Sequence, residues 1–139
     1  MRRIGLRVHW AALVGFTAPT VLVVDDDASI RFLCRVNLEL DGCVVYEASS
    51  LDAARAALAG IDFDVVLLDV HVGNRDGKEL LEELRLEHPD VAVALLTGSV
   101  DTPATAGCDA DAVLSKPFAL DELTETVRTL ASRATQTAR

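Results

Sequence analysis

The stretch Val65-Val66-Leu67-Leu68-Asp69 decides the fold, because four apolar residues, two of them β-branched, run straight into one carboxylate. A continuous apolar run of this length, without polar alternation, predicts a strand covered on both faces, as in the middle of a parallel sheet. Asp69 then lies at the carboxyl end of that strand. In open α/β sheets this end is where ligands bind, since the loops there part to leave a crevice. The stretch therefore indicates both a fold class and the place of a candidate site.

Similar short apolar runs occur before and after this stretch, and they alternate with segments of helical periodicity. The predicted strands span residues 20–24, 43–48, 65–69, 91–96 and 112–114. The predicted helices span residues 28–40, 49–59, 78–88 and 120–132, with one further helical segment between residues 97 and 112. Because each gap between strands is too short for anything but a right-handed crossover, we expect an α/β fold: a doubly wound, five-stranded parallel sheet flanked by helices.

Three local details complete this prediction. Apolar residues near helical spacing predict the buried face of the first helix, namely Ile30, Leu33, Val36 or Asn37, and Leu40. Ser49-x-x-Asp52 has the pattern of a capping box for the second helix. Residues 71–77 contain two glycines and an asparagine, which indicates a loop.

Composition limits the class of protein. At 139 residues, half of them hydrophobic, the chain has room for one domain with a real core. The formal net charge is −9, but residues 1–19 hold three Arg and no acid, so the remainder carries ten basic and 22 acidic residues, or −12. This charge argues against DNA or RNA binding through a broad basic face and favours a cation site or a basic protein partner. Three widely spaced cysteines predict reduced thiols in a cytoplasmic protein, not disulfides or a zinc site.

The two ends of the chain differ from its middle. We expect residues 1–19 to be a poorly ordered extension or to lie upstream of the natural start, residues 20–133 to form the domain, and residues 134–139 to be a polar tail. The apolar run from Trp10 to Phe16 is too short to span a membrane. An amphipathic segment that binds a surface stays open, because Trp10, Leu13 and Phe16 recur at helical spacing.

Polar side chains follow four of the predicted strands, and they define the candidate site. These residues are Asp25 and Asp26 after the first strand, Asp69 after the third, Thr97 after the fourth and Lys116 after the fifth. Three acids at close range resist joint ionisation unless a cation neutralises them, which is the role of a hard divalent ion such as Mg²⁺ or Mn²⁺. A lysine and a hydroxyl aimed at the same place suit the oxygens of a transferring phosphoryl group. Asp69 is then left as the nucleophile.

Five motifs also occur in order with compatible spacing: Val-Leu-Val-Val-Asp-Asp-Asp ending at Asp27, Val-Val-Leu-Leu-Asp69, Asp76-Gly77, Leu-Leu-Thr97-Gly98 and Ser-Lys116-Pro117-Phe118. Over residues 20–133 the chain thereby resembles the receiver domain of two-component response regulators. The resemblance implies a flavodoxin-like fold in which Asp69 accepts phosphate from a sensor histidine kinase, after which the protein changes its partners.

The resemblance also implies a role for each polar residue. The implied metal ligands are Asp25, Asp26, Asp69 and the backbone carbonyl of His71. Asp26 would bind the ion directly and Asp25 mostly through water. Apart from the resemblance, a lone loop histidine is more often exposed than a side-chain ligand or phosphoryl carrier, so we expect the His71 side chain to be exposed. Lys116, joined to the next residue by a cis peptide bond, would contact the acyl phosphate, and Thr97 would follow it on activation. Asp27 is assigned to cap the first helix.

The chain departs from the family pattern outside the phosphorylation site. Receivers usually carry Tyr or Phe three residues before the lysine, where this chain has Val113, and Val72-Gly73 replaces the usual Met-Pro. The segment between Thr97 and Lys116 is about three residues shorter than usual, roughly one helical turn. We therefore expect a short or irregular fourth helix and a switch that differs from the aromatic one.

Three classes of function remain at this point. The first is a stand-alone phosphoacceptor that signals to an unknown downstream protein or passes its phosphoryl group to a histidine phosphotransfer protein, without binding DNA. The second is a constitutive interaction module that retains the acids but does not use them. The third, a small-molecule phosphatase, calls for a second carboxylate two residues after the nucleophile, and His71 occupies that position.

Overall fold

The computed structural model describes residues 18–98 and 109–137. Within these ranges the strands are β1 (Thr20–Val24), β2 (Val44–Ala48), β3 (Val65–Asp69), β4 (His71–Val72), β5 (Arg75–Asp76), β6 (Ala92–Thr97) and β7 (Ala112–Ser115). The helices are α1 (Ala28–Leu40), α2 (Leu51–Gly60), α3 (Lys78–Glu87) and α4 (Leu120–Thr137).

Five strands form the main sheet in the order β2-β1-β3-β6-β7, and all neighbouring pairs are parallel. The prediction of a doubly wound parallel sheet is confirmed. The register aligns the strand ends: Asp69 lies opposite Leu96, and Thr97 lies opposite Ser115. The carboxyl ends of β1, β3, β6 and β7 therefore meet along one edge, which is what positions the site.

The core has two layers, one on each face of the sheet. In β1, Val21 and Val23 pack toward α1 and α4, whereas Leu22 and Val24 pack toward α2 and α3. All four side chains have no solvent exposure. Burial on both faces explains why the strands read as unbroken apolar runs, because neither face has to meet water.

The predicted buried face of α1 is wrong at Leu33 and Leu40, although Ile30 packs against the core as predicted. The core-facing residues are Cys34 and Leu38, with Ile30 partly buried beside them. Leu33 and Leu40, which the periodicity assigned to the core, are 46% and 81% exposed. Apolar residues occur nearly all round this helix, so its spacing supports more than one stripe, and packing against the sheet selects one of them.

Smaller differences concern element boundaries. Residues 71–76, predicted as loop, form a two-stranded antiparallel hairpin of β4 and β5. Ser50, not Ser49, caps α2, since its side chain accepts from the N–H of Ala53. Helix α4 runs to Thr137, beyond its predicted end at residue 132, and includes most of the predicted tail. The predicted fourth helix and the N-terminal extension before residue 18 lie outside the described residues.

Candidate functional site

Three carboxylates meet where β1 and β3 end side by side. Asp25 and Asp26 follow β1 directly and Asp69 ends β3, so that one oxygen of each lies within 4.8 Å of the others. Asp25 is completely buried and Asp69 nearly so, whereas Asp26 faces solvent. Asp27, the third acid of this run, has a different role. As predicted, it caps α1, because its side chain accepts from the N–H groups of Ser29 and Ile30.

Contacts from four parts of the chain hold Asp25. Its N–H donates to Ala48 in β2 at 3.1 Å, and its carbonyl accepts from the guanidinium of Arg31 in α1 at 2.7 Å. One carboxylate oxygen accepts from the N–H of Asp27 at 2.9 Å, and the other from Lys116 Nζ at 2.8 Å. A fully buried carboxylate without such partners would be strongly destabilising, so these contacts set its position closely.

Lys116, which follows the edge strand β7, brings a positive charge to the cluster. Its ammonium lies 2.8 Å from Asp25 and 3.5 Å from an oxygen of Asp69, while its N–H donates to the carbonyl of Thr97 at 2.7 Å. The bond to Pro117 is cis, as the resemblance implied. Burial lowers the pKa of Lys116, but its hydrogen bond and charge attraction to Asp25 outweigh burial and leave the pKa above its ordinary value. Lys116 is therefore cationic.

Asp69 has a distinctive proton affinity. Burial, and then the negative charge of Asp25, raise the pKa of Asp69 to about 6, although Lys116 and the N–H of His71 act in the opposite direction. The ionised form of Asp69 therefore destabilises the folded protein, since Asp25 and Asp69 lie in one crevice with a single lysine. A cation bound next to the Asp69 carboxylate, or a covalent change that removes its negative charge, would reduce this destabilisation.

The remaining residues that the sequence singled out lie on β6, on β7 and directly after β3. Thr97 is buried at the end of β6, next to Asp69 in the sheet order. The backbone N–H of His71 donates to Asp69 at 3.4 Å, and its side chain is exposed. Val113, in the position that is usually aromatic, is 45% exposed on β7.

Two contributors escaped the sequence reasoning. Arg31 was not among the predicted site residues, yet its guanidinium donates to the Asp25 carbonyl and pairs with Glu47 at 3.0 Å. Gly77 was noted only as part of a motif, but its N–H donates to Val70 at 2.6 Å and a Cβ there would collide with the carbonyl oxygen of Asp69. Only a glycine allows this close approach. Neither contact could be predicted from the sequence, because both join residues that the fold brings together and neither follows from helical or strand periodicity.

The donor set fits a hard divalent cation. Asp25, Asp26 and Asp69 offer carboxylate oxygens within the reach of one ion, and Mg²⁺ or Mn²⁺ prefers oxygen ligands of this kind. Such an ion would offset the repulsion that raises the pKa of Asp69. The exposed position of Asp26 leaves a side of the cluster open to water and to a phosphoryl group.

Comparison with known proteins agrees with this geometry. The model of the response regulator receiver domain family matches residues 21–128, and the chain belongs to that family. Receivers are the phosphoryl-accepting signal-transduction domains of two-component systems.

Relatives among curated proteins are longer than this chain. It is 34% identical over 117 residues to the C4-dicarboxylate transport transcriptional regulatory protein DctD of Rhizobium meliloti, covering 80% of this chain and 25% of that protein. It is 37% identical over 118 residues to the response regulator MprA of Mycolicibacterium vanbaalenii, covering 83% of this chain and 51% of that protein. The chain thus spans a quarter to about half the length of these two relatives.

Solved structures share the fold. A response regulator from Thermotoga maritima aligns with a TM-score of 0.75 and 33% identity, over 83% of this chain and 98% of that one. A CheY-like receiver domain protein from Methanospirillum hungatei aligns with a TM-score of 0.81 and 24% identity, over 87% of this chain and 99% of that one, and supports the fold alone. Among the helices that the structure describes, none has the length and apolarity to cross a membrane.

Proposed function

We propose that Asp69 is the phosphoacceptor of this receiver, taking a phosphoryl group from a sensor histidine kinase or a histidine phosphotransfer protein. The observation that carries the proposal is the pairing of a buried, destabilised carboxylate with a lysine: Asp69 has a raised pKa and lies 3.5 Å from the ammonium of Lys116. A nucleophile in this state gains from a reaction that spreads its charge over phosphoryl oxygens next to a fixed cation.

The transfer is a displacement at phosphorus. A carboxylate oxygen of Asp69 forms the new bond, the P–N bond of the donor phosphohistidine breaks, and the electron pair stays on the imidazole, which can then take a proton from water. Lys116 holds one phosphoryl oxygen and the hydroxyl of Thr97 holds another. Mg²⁺ or Mn²⁺ would be held by Asp25, Asp26, Asp69 and the backbone carbonyl of His71, and supplies charge neutralisation between the acids and the incoming phosphoryl group.

We infer that the output is a protein contact made in the cytoplasm, to a downstream protein whose identity is open. The acidic character of the chain after residue 19 supports this over direct DNA binding, since residues 20–139 carry a net charge of −12 and would repel the phosphates of DNA. The domain would comprise residues 20–133. The phosphoryl group would either stay on Asp69 until it is hydrolysed or be transferred to a histidine phosphotransfer protein in a relay.

The test is the intact mass of the protein after incubation with Mg²⁺ and acetyl phosphate. We expect one added phosphoryl group, absent when EDTA is present and absent in Asp69→Asn. Asp62→Asn, which removes an exposed carboxylate elsewhere, serves as the matched control and should be phosphorylated like the wild type. Addition of phosphate to Asp69→Asn would refute the assignment.

Metal binding provides a second, separate measurement. Asp26→Asn should weaken both Mg²⁺ affinity and phosphorylation, because the exposed carboxylate is a direct ligand in this proposal. Retained affinity in that variant would contradict the ligand assignment while leaving Asp69 in its role.

A constitutive interaction module is the second candidate, and Val113 favours it. Its side chain is 45% exposed and lacks the ring that would turn inward on activation. If folded, metal-binding protein accepts no phosphoryl group, this second function replaces the first.

A further inference from the structure

The peptide bond between Asp25 and Asp26 is held by an arginine from α1. Nη1 of Arg31 donates to the carbonyl oxygen of Asp25 at 2.7 Å, and Nε of the same guanidinium donates to Glu47 in β2 at 3.0 Å. The side chain of Arg31 is only 17% exposed. Because a guanidinium is planar and its donors have fixed relative directions, the contact with Glu47 also fixes the direction in which Arg31 meets the carbonyl.

The carboxylate of Asp26 depends on this stretch of backbone for its position. The carboxylate of Asp25 accepts from the N–H of Asp27 and from Lys116. The Asp26 carboxylate, by contrast, has no hydrogen-bond partner among the described residues. The carbonyl of Asp25 lies in the same planar peptide unit as the N–H and Cα of Asp26. A donor that fixes this plane therefore fixes the point from which the Asp26 side chain leaves the backbone.

We propose that Arg31 is a positioning residue of the candidate metal site: it fixes the peptide between Asp25 and Asp26 and so holds the Asp26 carboxylate where the ion binds. The inference rests on the proposed function, in which Asp26 is a direct ligand. Groups that orient metal ligands without touching the ion typically contribute about 10- to 100-fold in metal affinity. Because Arg31 contacts the backbone and not the ligating carboxylate, we expect the lower end of this range.

The charge of Arg31 by itself predicts the opposite effect. A guanidinium near a cation site repels the ion, so a neutral residue in its place would strengthen cation binding if Coulomb interactions alone mattered. Loss of a positioning contact weakens cation binding instead. The sign of the change in affinity therefore separates a role in positioning from a role in the local charge.

Arg35 provides a matched control one turn further along α1. Its Nε donates to the other carboxylate oxygen of Glu47 at 2.7 Å, so it has the same charge and the same acidic partner as Arg31. In the part of the chain that the structure describes, Arg35 is not among the hydrogen-bond partners of Asp25. Arg35→Gln thus makes the same change in charge and leaves the contact with the Asp25 carbonyl in place.

The test is a titration of the unphosphorylated protein with Mn²⁺, in which electron paramagnetic resonance measures the free ion and no phosphodonor is present. We expect Arg31→Gln to bind Mn²⁺ about tenfold more weakly than the wild type, and Arg35→Gln to bind it as tightly as the wild type. Arg31→Lys keeps the charge and one donor but loses the planar fork, so its affinity should lie between those of the wild type and Arg31→Gln.

A separate control covers a general loss of stability. Asp111 precedes β7 and accepts from the N–H of Val93 near the start of β6, at the edge of the sheet opposite the site. Asp111→Ala should therefore leave the Mn²⁺ affinity unchanged even where it lowers the urea midpoint. Urea midpoints without metal verify that each variant is folded. In phosphorylation by acetyl phosphate, Arg31→Gln should raise the Mg²⁺ concentration that gives half the maximal rate about tenfold and leave the maximal rate unchanged.

Three outcomes would overturn the proposal while the proposed function stands. They are an affinity at or above that of the wild type in whichever Arg31 variants fold, an equal loss of affinity in Arg35→Gln or Asp111→Ala, and a lower maximal rate with an unchanged half-saturating Mg²⁺ concentration. A wild-type protein that binds no Mn²⁺ would overturn the metal assignment together with this inference. The titration itself requires no phosphorylation, so its result does not depend on the role of Asp69.

Discussion

Replacing Asp69 by Asn should stabilise the metal-free protein at neutral and alkaline pH. The side chain keeps its size and can still accept from the N–H of His71, while the ammonium of Lys116 keeps its closer partner Asp25 at 2.8 Å. What disappears is the ionised carboxylate that burial and Asp25 disfavour. The gain is therefore electrostatic and not a matter of packing.

The pKa of Asp69 supplies the magnitude. A folded pKa of about 6, against an ordinary value near 4, corresponds to a ceiling of about 3 kcal/mol. Water at the open side of the crevice screens part of this, so we expect a gain of about 1 to 2 kcal/mol. Because a raised carboxyl pKa makes the folded state bind the proton more tightly, the penalty is absent below about pH 4, grows between about pH 4 and 6, and is complete above.

Urea unfolding in EDTA measures this gain. At about pH 8 the midpoint of Asp69→Asn should exceed that of the wild type by about 0.5 to 1 M, and the difference should vanish near about pH 4. Asp62→Asn, which removes an exposed carboxylate, controls for the overall change in charge. A midpoint at or below the wild-type value at the higher pH would refute the reasoning, as would an equal gain in Asp62→Asn.

Three further predictions concern other contacts in the fold. Gly77→Ala should lower the free energy of unfolding by about 1 to 3 kcal/mol in urea, since its Cβ meets backbone, whereas Gly60→Ala, with open space around it, should not. Asp111→Ala should lower the free energy of unfolding by about 1 to 3 kcal/mol in the same assay, because Asp111 accepts from Arg85 at 2.7 Å and from the N–H of Val93 in β6. A change near zero would show that water replaces the carboxylate. Burial, and then Asp25, raise the pKa of the Cys34 thiol to about 12, so peptide mapping after iodoacetamide should find it unlabelled in the native state and labelled in urea.

The strands and the site residues at their ends were predictable because their causes are local. An unbroken apolar run such as 65–69 has few uses other than a strand covered on both faces. Once the strands are parallel, the residues after them must share one edge of the sheet, whatever the details of packing. Asp25, Asp69 and Lys116 could thus be grouped across 91 residues of sequence without a single contact being known.

The buried side of α1 and the contacts of Arg31 and Gly77 depended on the tertiary structure. Apolar side chains lie nearly all round α1, so periodicity favoured Leu33 and Leu40, and the sheet took Cys34 and Leu38 instead. The contact of Gly77 with the backbone at Asp69 has no counterpart in any pattern of side chains.

By itself, the sequence determined the parallel sheet, the family and which side chains gather at one edge, because apolar runs and strand order act through local preference and through topology. Only the tertiary structure decided how strongly those side chains act on one another. The pKa of Asp69 depends on burial and on its distances to Asp25 and Lys116. Coulomb energy varies with ångström separations and with the exclusion of water, and neither quantity exists until the chain has packed.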